Sequence, residues 1–434
     1  MDNKLLDARD ARSRLAERGW IARGSEMFRH LPPPAAEVWL GDEKAIAAGA
    51  GRAPAGAGWT LHALEGLPQG RVDARWLDAD DAVQRKELFA GLDEAGDDDA
   101  APFAWAHRAL CRNGLKLQIG AAPDEANDAK GAAQTVFLEL RHRPRAAVEA
   151  PLLVLELQAG VHCVLLERHE LEEHEGDGGT RAATVVQNLR AHLRLGDGAT
   201  LAHLRFVAPG AGDRIAHQLR VQLGRGARYD QALIATGSAY HLQRSVIELD
   251  QAQAAVHIAG LSLAAGTTLD QQVRVAQSAP DTSSTIEGLV LASGAARTVH
   301  NAYTRIAAGA DEAITQQRLV GIPIGGQARL VLRPQLEIHH DKVQAAHGAT
   351  WGALPEDALF YARQRGLDAP SARGLIVQGM ATALLERCLG GPELLQTLGL
   401  GPRLAQRVAH QLAVPAPAPA PAPTAPTRPE APHG

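Results

Sequence analysis

The apolar positions change their period along the chain. Residues 1 to about 35 set Leu5, Leu6, Ala8, Ala11, Leu15, Ala16 and Trp20 on one helical face, and Pro32-Pro33-Pro34 stops that pattern. From Gly41 to Gly70 the chain is rich in Gly, Ala and Pro and reads as loop. Residues 79–113 read as helical again, broken by Asp97-Asp98-Asp99. From residue 134 to about 341 apolar and polar residues alternate in short runs, among them Thr135–Leu140, Leu152–Leu157, Leu189–Leu195, Leu201–Val207, Val256–Leu263 and Gln335–Ile338. Gly-rich turns separate them, which is the signature of strands. Beyond Asp341 the strand pattern ends and helices are predicted over Pro355–Arg365, Asp368–Leu389 and Pro402–Leu412. Asp368 suits the cap of the second, and Pro370 its first turn.

A repeat runs beneath the strand pattern. Leu195-Gly-Asp-Gly-Ala199, Leu223-Gly-Arg-Gly-Ala227 and Leu249-Asp-Gln-Ala-Gln253 start 28 and 26 residues apart. A period of that size yielding short strands and tight turns indicates stacked coils, hence a β-solenoid. A β-sandwich needs a similar number of strands but no recurring phrase. The chain is therefore divided into an N-terminal helical or mixed region (1–133), a β-solenoid core (134–341), a C-terminal helical domain (342–412) and a disordered Ala/Pro tail (413–434), where 8 of the 25 prolines fall.

Composition narrows the function classes. Of 434 residues 45% are hydrophobic, enough for a large core, but only 4% are aromatic, so that core is aliphatic. Lys and Arg number 44 against 49 Asp and Glu, with no basic run, which argues against a nucleic-acid binder. No apolar stretch is long enough to span a membrane and the start lacks a secretory pattern, so the expected location is the cytoplasm. The three cysteines, Cys111, Cys163 and Cys388, are far apart and form no CxxC, so four-thiolate ligation by this chain alone is excluded. Cys163, inside a strand pattern, reads as a buried thiol.

Nucleotide and hydrolase motifs are missing: there is no GxxxxGK[ST], HExxH or GxSxG. Gly49-Ala50-Gly51 and Gly56-Ala57-Gly58 do not extend to a phosphate loop, and His169–Glu175 reads as the start of an acidic surface loop. The densest imidazole group is His339-His340-Asp341 with His347. Neighbouring residues on a strand point to opposite sides, so at most one of the first two can join His347 at one metal.

The stretch from Pro334-Gln-Leu-Glu-Ile338 through His347-Gly-Ala-Thr350 to Leu359-Phe-Tyr361 and Arg365-Gly366 resembles the SufB/SufD family of iron–sulfur cluster assembly proteins. Asp281-Thr-Ser-Ser284 and its neighbours extend the resemblance to about residues 100–412. It implies a right-handed parallel β-helix core flanked by helical parts and a non-catalytic scaffold role. The implied partners are a SufB-like β-helix subunit and a SufC-like ATPase, with a homodimer allowed in isolation. It further implies a transient iron–sulfur cluster, or iron, shared with the partner at His347, and allows a flavin in the complex. His347 in its HGAT setting resembles the SufD type. Gln316–Ile324 contains no cysteine, so the chain lacks the residue with which the SufB type accepts sulfur. Two departures stand out: Ala345 lies where SufD proteins often carry Cys, and Val299-His300-Asn301-Ala302 replaces an aromatic-containing phrase. Phe360, Tyr361, Arg363, Arg365 and Gly366 are the expected ATPase contact, since aromatic and Arg side chains anchor interfaces. The expectations from other classes are a β-helix carbohydrate-active enzyme, which needs paired carboxylates on adjacent coils, and a purely structural solenoid adaptor.

Overall fold

The computed structural model describes residues 3–22, 24–41, 58–64, 66–68, 70–92, 99–120, 135–169 and 184–411. The Ala/Pro tail, the acidic loop after His169 and the Gly49-Ala50-Gly51 phrase lie outside them. The N-terminal region holds α1 (Asn3–Arg18), α2 (Ala36–Leu40), β1 (Trp59–Ala63), β2 (Arg71–Asp78), α3 (Ala82–Leu88), α4 (Ala101–Leu110) and β3 (Asn113–Gly120). The strands that follow are β4 (Val136–His142), β5 (Val148–Glu149), β6 (Leu152–Leu157), β7 (His162–His169), β8 (Val186–Leu195), β9 (Thr200–Val207), β10 (Arg214–Leu223), β11 (Arg228–Thr236) and β12 (Tyr240–Leu249). They continue with β13 (Ala255–Ala265), β14 (Thr268–Gln277), β15 (Ser283–Gly294), β16 (Arg297–Ile306), β17 (Ala313–Gly326), β18 (Arg329–Ile338) and β19 (Val343–Trp351). Helices α5 (Glu356–Gln364), α6 (Ala369–Leu389), α7 (Glu393–Thr397) and α8 (Leu400–Gln411) close the described chain.

From β6 onward successive strands alternate between two parallel sheets. Sheet I has the order β1-β4-β7-β9-β11-β13-β15-β17-β19, and sheet II β18-β16-β14-β12-β10-β8-β6-β3-β2. One strand from each makes a coil, and about seven coils stack into a parallel β-solenoid flanked by helices. The repeat seen in the sequence is the corner between the sheets. Gly198 and Gly226 occupy the left-handed region there, at φ +65° and +63°, where a Cβ would be strained. Gln253, Asp281 and Glu312 hold equivalent corners at φ 57–64°. Each corner donates its backbone N–H to the next coil: Gly198 to Arg225, Gly226 to Ala252, Gln253 to Pro280, Asp281 to Asp311, Glu312 to Lys342, at 2.8–3.2 Å.

Between the sheets, aliphatic residues stack in register. Leu155, Leu193, Val221, Ile247 and Val275 form one ladder in sheet II, each no more than 1% exposed. The N-terminal helices cover the outer face of sheet II through Phe28, Trp39, Phe103 and Trp105 against Ala216, Tyr240 and Leu242. The C-terminal helices cover sheet I, with Val377, Ala381, Leu384 and Leu385 on Leu204, Ile234 and Leu261. Arg387 of α6 locks this layer by pairing with Glu287 of β15, which also accepts from His257 at 3.1 Å.

The interior also holds a polar file. His217, Gln243, Gln271 and His300 follow one another in register across β10, β12, β14 and β16. Gly260 and Gly288 of sheet I stand opposite Gln271 and His300, at points a Cβ would fill. At its N-terminal side Glu167, fully buried, accepts from His203 at 2.8 Å, Arg205 at 3.1 Å and His169. Burial alone would raise the Glu167 pKa, but the Arg205 charge and both imidazole hydrogen bonds hold it well below the usual carboxylate range.

Several boundaries differ from the sequence reading. The first helix ends at Arg18, because the chain then turns to bring Phe28 onto α4. Gly41–Gly70 is not all loop, since Trp59–Ala63 is β1. The strands begin before residue 134, with β2 and β3 in sheet II. They also run past 341: Val343–Trp351 is β19, so the C-terminal helices start at Glu356.

Candidate functional site: the open end of the solenoid

β18 and β19 are the last strands of their sheets, and among the described residues each pairs on one side only. Interior positions that are sealed in earlier coils therefore face outward here. Leu332 and Leu336 are half-buried and Ile338 is 42% exposed, although they continue the rows of His300, Thr304 and Ile306, which lie at 0–1%. β19 carries no Lys, Asp, Glu, Arg or Pro, the residues that usually blunt a strand edge.

His347 sits in the middle of β19, paired in register with Gln317 of β17. Paired residues on adjacent parallel strands project to the same face. Gln317 projects inward, donating to Thr304 at 2.9 Å and to the Gln335 carbonyl at 3.0 Å. His347 thus lies on the interior-facing side of an exposed edge, at the mouth of the solenoid. Gly348 leaves the backbone beside it open, with nothing near its Cβ direction. The turn preceding β19 engages the other two histidines: His339 meets Glu337 at 2.6 Å and His340 meets Asp311 at 2.5 Å. Neither is grouped with His347, and among the described residues no set of three His, Cys, Asp or Glu side chains could hold a metal. Its single imidazole suits a ligand shared with groups from outside the chain.

All three cysteines are buried. Burial pushes the Cys111 and Cys163 thiols up to about 12 and that of Cys388 well above its ordinary value. None offers a thiolate at the open end.

The second expected surface lies on α5. Ala362 is buried under that helix while Phe360 and Tyr361 are 66% and 60% exposed, so the pair does not pack the helix onto the solenoid. Arg365 stacks over the Tyr361 ring at 4.6 Å, and Arg363 is exposed. Gly366, at φ +87°, ends the helix in a left-handed cap. Trp351 (70% exposed) and Leu375 (57%) extend the exposed apolar set; the sequence reading named neither as a contact and set Leu375 on the apolar face of its helix. Trp351 ends an edge strand that alternation does not reveal, and Leu375 falls on a helical face whose other apolar members are covered.

A helix-flanked solenoid whose final parallel coil pairs on one side only among the described residues offers an edge that another chain can extend, as an assembly component requires. The comparisons agree. The family model for the SUF system FeS cluster assembly SufBD core domain matches residues 143–380, more than half of the chain, and the protein belongs to that family. A SufBD family protein of Synechocystis is 25% identical over 203 residues, 46% of this chain and 44% of the relative. The iron–sulfur cluster assembly protein SufD of Escherichia coli is 30% identical over 116 residues, 27% of this chain and 26% of that one. A SufBD family protein of Mycobacterium bovis is 28% identical over 110 residues, 25% and 13% of the two chains. The matched stretches span less than half the length of these relatives. No described helix is long and apolar enough to cross a membrane.

Proposed function

We propose that this chain is the SufD-type, non-catalytic subunit of an iron–sulfur cluster assembly complex. Its open coil docks on the end of a SufB-like β-helix subunit, and His347 offers one releasable imidazole to the iron, or to the cluster, assembled at that junction. The observation that carries this reading is His347 on the interior side of an uncharged, unpaired edge. The three buried thiols support a division of labour in which sulfur is accepted by the partner. A SufC-like ATPase is the partner for Phe360, Tyr361, Arg363, Arg365 and Gly366, whose aromatic and Arg content fits an interface anchor.

Co-expression with the two partners followed by size-exclusion chromatography tests this. Ala345→Lys places a charge on the interior-facing side of β19 and should abolish association with the SufB-like subunit while ATPase binding persists. Phe360→Ala with Tyr361→Ala should do the reverse. Retention of both partners by both variants would move the contacts elsewhere.

A further inference from the structure

The helical layer over sheet I leaves a gap. Between α6, α7, α8 and the outer face of β9 and β11 lies a cavity of about 350 Å³, floored by Leu204, Phe206, Ala232 and Ile234 and walled by Leu385 and Leu395. That volume falls within the ~300–1,000 Å³ typical of small-molecule sites. The polar side chains that reach it are Thr382, Glu386 and Gln396, all from the helices. A space lined in this way offers water few partners, so its occupant is apolar over most of its length.

One side of the floor is cationic. Phe206 is in register with Ile234 of β11 on one side and with Arg168 of β7 on the other, and Arg168 in turn with Arg141 of β4. Residues paired across parallel strands project to the same face, about 4.8 Å apart, so Arg168 flanks the Phe206 end of the cavity. Arg403 joins them from α8, where it stands between Pro402 and Leu404, both of which line the cavity. These three guanidinium groups share one carboxylate. Glu139 accepts from Arg141 at 2.7 Å and from Arg168 at 2.8 Å, one oxygen each, and among the described residues Arg403 has no ion pair. Partial burial and the charges of Arg168 and Arg141 lower the Arg403 pKa, and only Glu139 acts against them. Glu386, on α6, is not among the charges that act on Arg403. A surplus of positive charge therefore stands beside an apolar space.

We propose that this cavity binds a free medium-chain aliphatic carboxylate, with its hydrocarbon tail over Phe206 and Ile234 and its head group at Arg168 and Arg403. The forked donors of Arg match carboxylate oxygens, and each methylene buried on the floor adds to the affinity. An aliphatic alcohol of the same length fills the cavity but leaves the surplus charge uncompensated. Acetate meets the charge but leaves the cavity empty.

Calorimetric titration of the full-length chain with hexanoate, octanoate and decanoate, set against acetate and the matching 1-alkanols, tests the assignment. The acids should bind one-to-one and tighten about fourfold per added methylene, and octanoate should bind about tenfold tighter than octanol. Ala232→Phe, which builds a ring into the floor, should abolish binding of acid and alcohol alike. Arg403→Gln, at an exposed position, should bring the acid down to the affinity of the alcohol, with the alcohol and the melting temperature unchanged. It decides the matter if the first variant misfolds. No binding by any of the three acids, octanol bound as tightly as octanoate, acetate bound as tightly as either, or full acid affinity in a folded variant would each overturn the proposal.

Discussion

At its N-terminal end the solenoid finishes in reversed strands. β2 runs antiparallel to β3, and β1 antiparallel to β4, and Trp59 at the start of β1 is 1% exposed against His142. At its C-terminal end β18 and β19 keep the parallel direction of the coils, and eight of the nine residues of β19 are exposed. Both ends face the same physical problem, a row of unpaired backbone groups beside an apolar interior. At one end the outermost strands are reversed; at the other they keep the direction of the coils, the geometry that the proposed partner would extend. The difference separates residues that hold the fold from residues that serve assembly, and substitutions can test that separation.

The largest effect belongs to the sealed interior near the N-terminal end. Arg205 is 2% exposed and neutralises a Glu167 that is wholly buried. Arg205→Ala leaves that carboxylate with only His169 and His203, and breaking such a pair costs ~3–5 kcal/mol. Urea unfolding should show the loss, and a loss below ~1 kcal/mol would mean that the interior is far wetter than its burial implies. The aliphatic ladder comes next. Leu193→Ala removes a side chain that is 1% exposed, with an expected loss of ~2–5 kcal/mol. Leu336→Ala, on the open coil, should cost under ~1 kcal/mol in the isolated chain yet weaken association with the partner. Equal losses at the two positions would erase the distinction between the ends.

A smaller effect concerns the clasp that holds α6 on sheet I. Burial alone would raise the pKa of Glu287, but hydrogen bonds from His257 and Arg387, with the Arg387 charge, hold it at about 2. A carboxylate depressed in the folded state stabilises above its unfolded pKa of ~4.5, and that contribution disappears as pH falls from there towards 2. Arg387 is 48% exposed, so the contribution is only ~1 kcal/mol. Arg387→Gln should lower the melting temperature at pH 7, and the gap from the parent should close as the pH is taken below 4.

The sequence exposes the coil corners well and the ends of the solenoid poorly. Leu195, Leu223 and Leu249 end successive strands of sheet II and the phrases after them are the observed corners, because a turn at fixed period demands small residues or positive φ. Alternation fails where the interior is polar. Gln231 in β11, Gln271 in β14 and Thr315 with Gln317 in β17 face inward, so those strands lack the apolar beat and were passed over. It fails again at β19, where Gln344-Ala-Ala-His-Gly-Ala349 has neither a helix layer nor a next coil to impose a pattern. His347 stood out in the sequence as part of the densest imidazole group, but only the likeness to a family set it apart from His339 and His340. Its placement opposite Gln317 needed the strand register, which no local pattern encodes.

His347→Ala is the substitution with the smallest expected effect on the fold, and it bears most directly on the open end. The side chain is exposed, and surface replacements typically shift stability by no more than ~0.5 kcal/mol. The melting temperature and both partner contacts should therefore match the parent. On the proposed role, in which the imidazole is the group this chain brings to the junction, iron and sulfide in the co-purified complex should fall sharply. His339→Ala and His340→Ala are the controls on the neighbouring turn. Their partners are Glu337 and Asp311 of this chain, so they should leave cluster content near normal. Complementation of a strain lacking the protein supplies an independent readout. Normal iron and sulfide with full rescue by His347→Ala would leave the end coil a docking surface and place every cluster ligand on the partner.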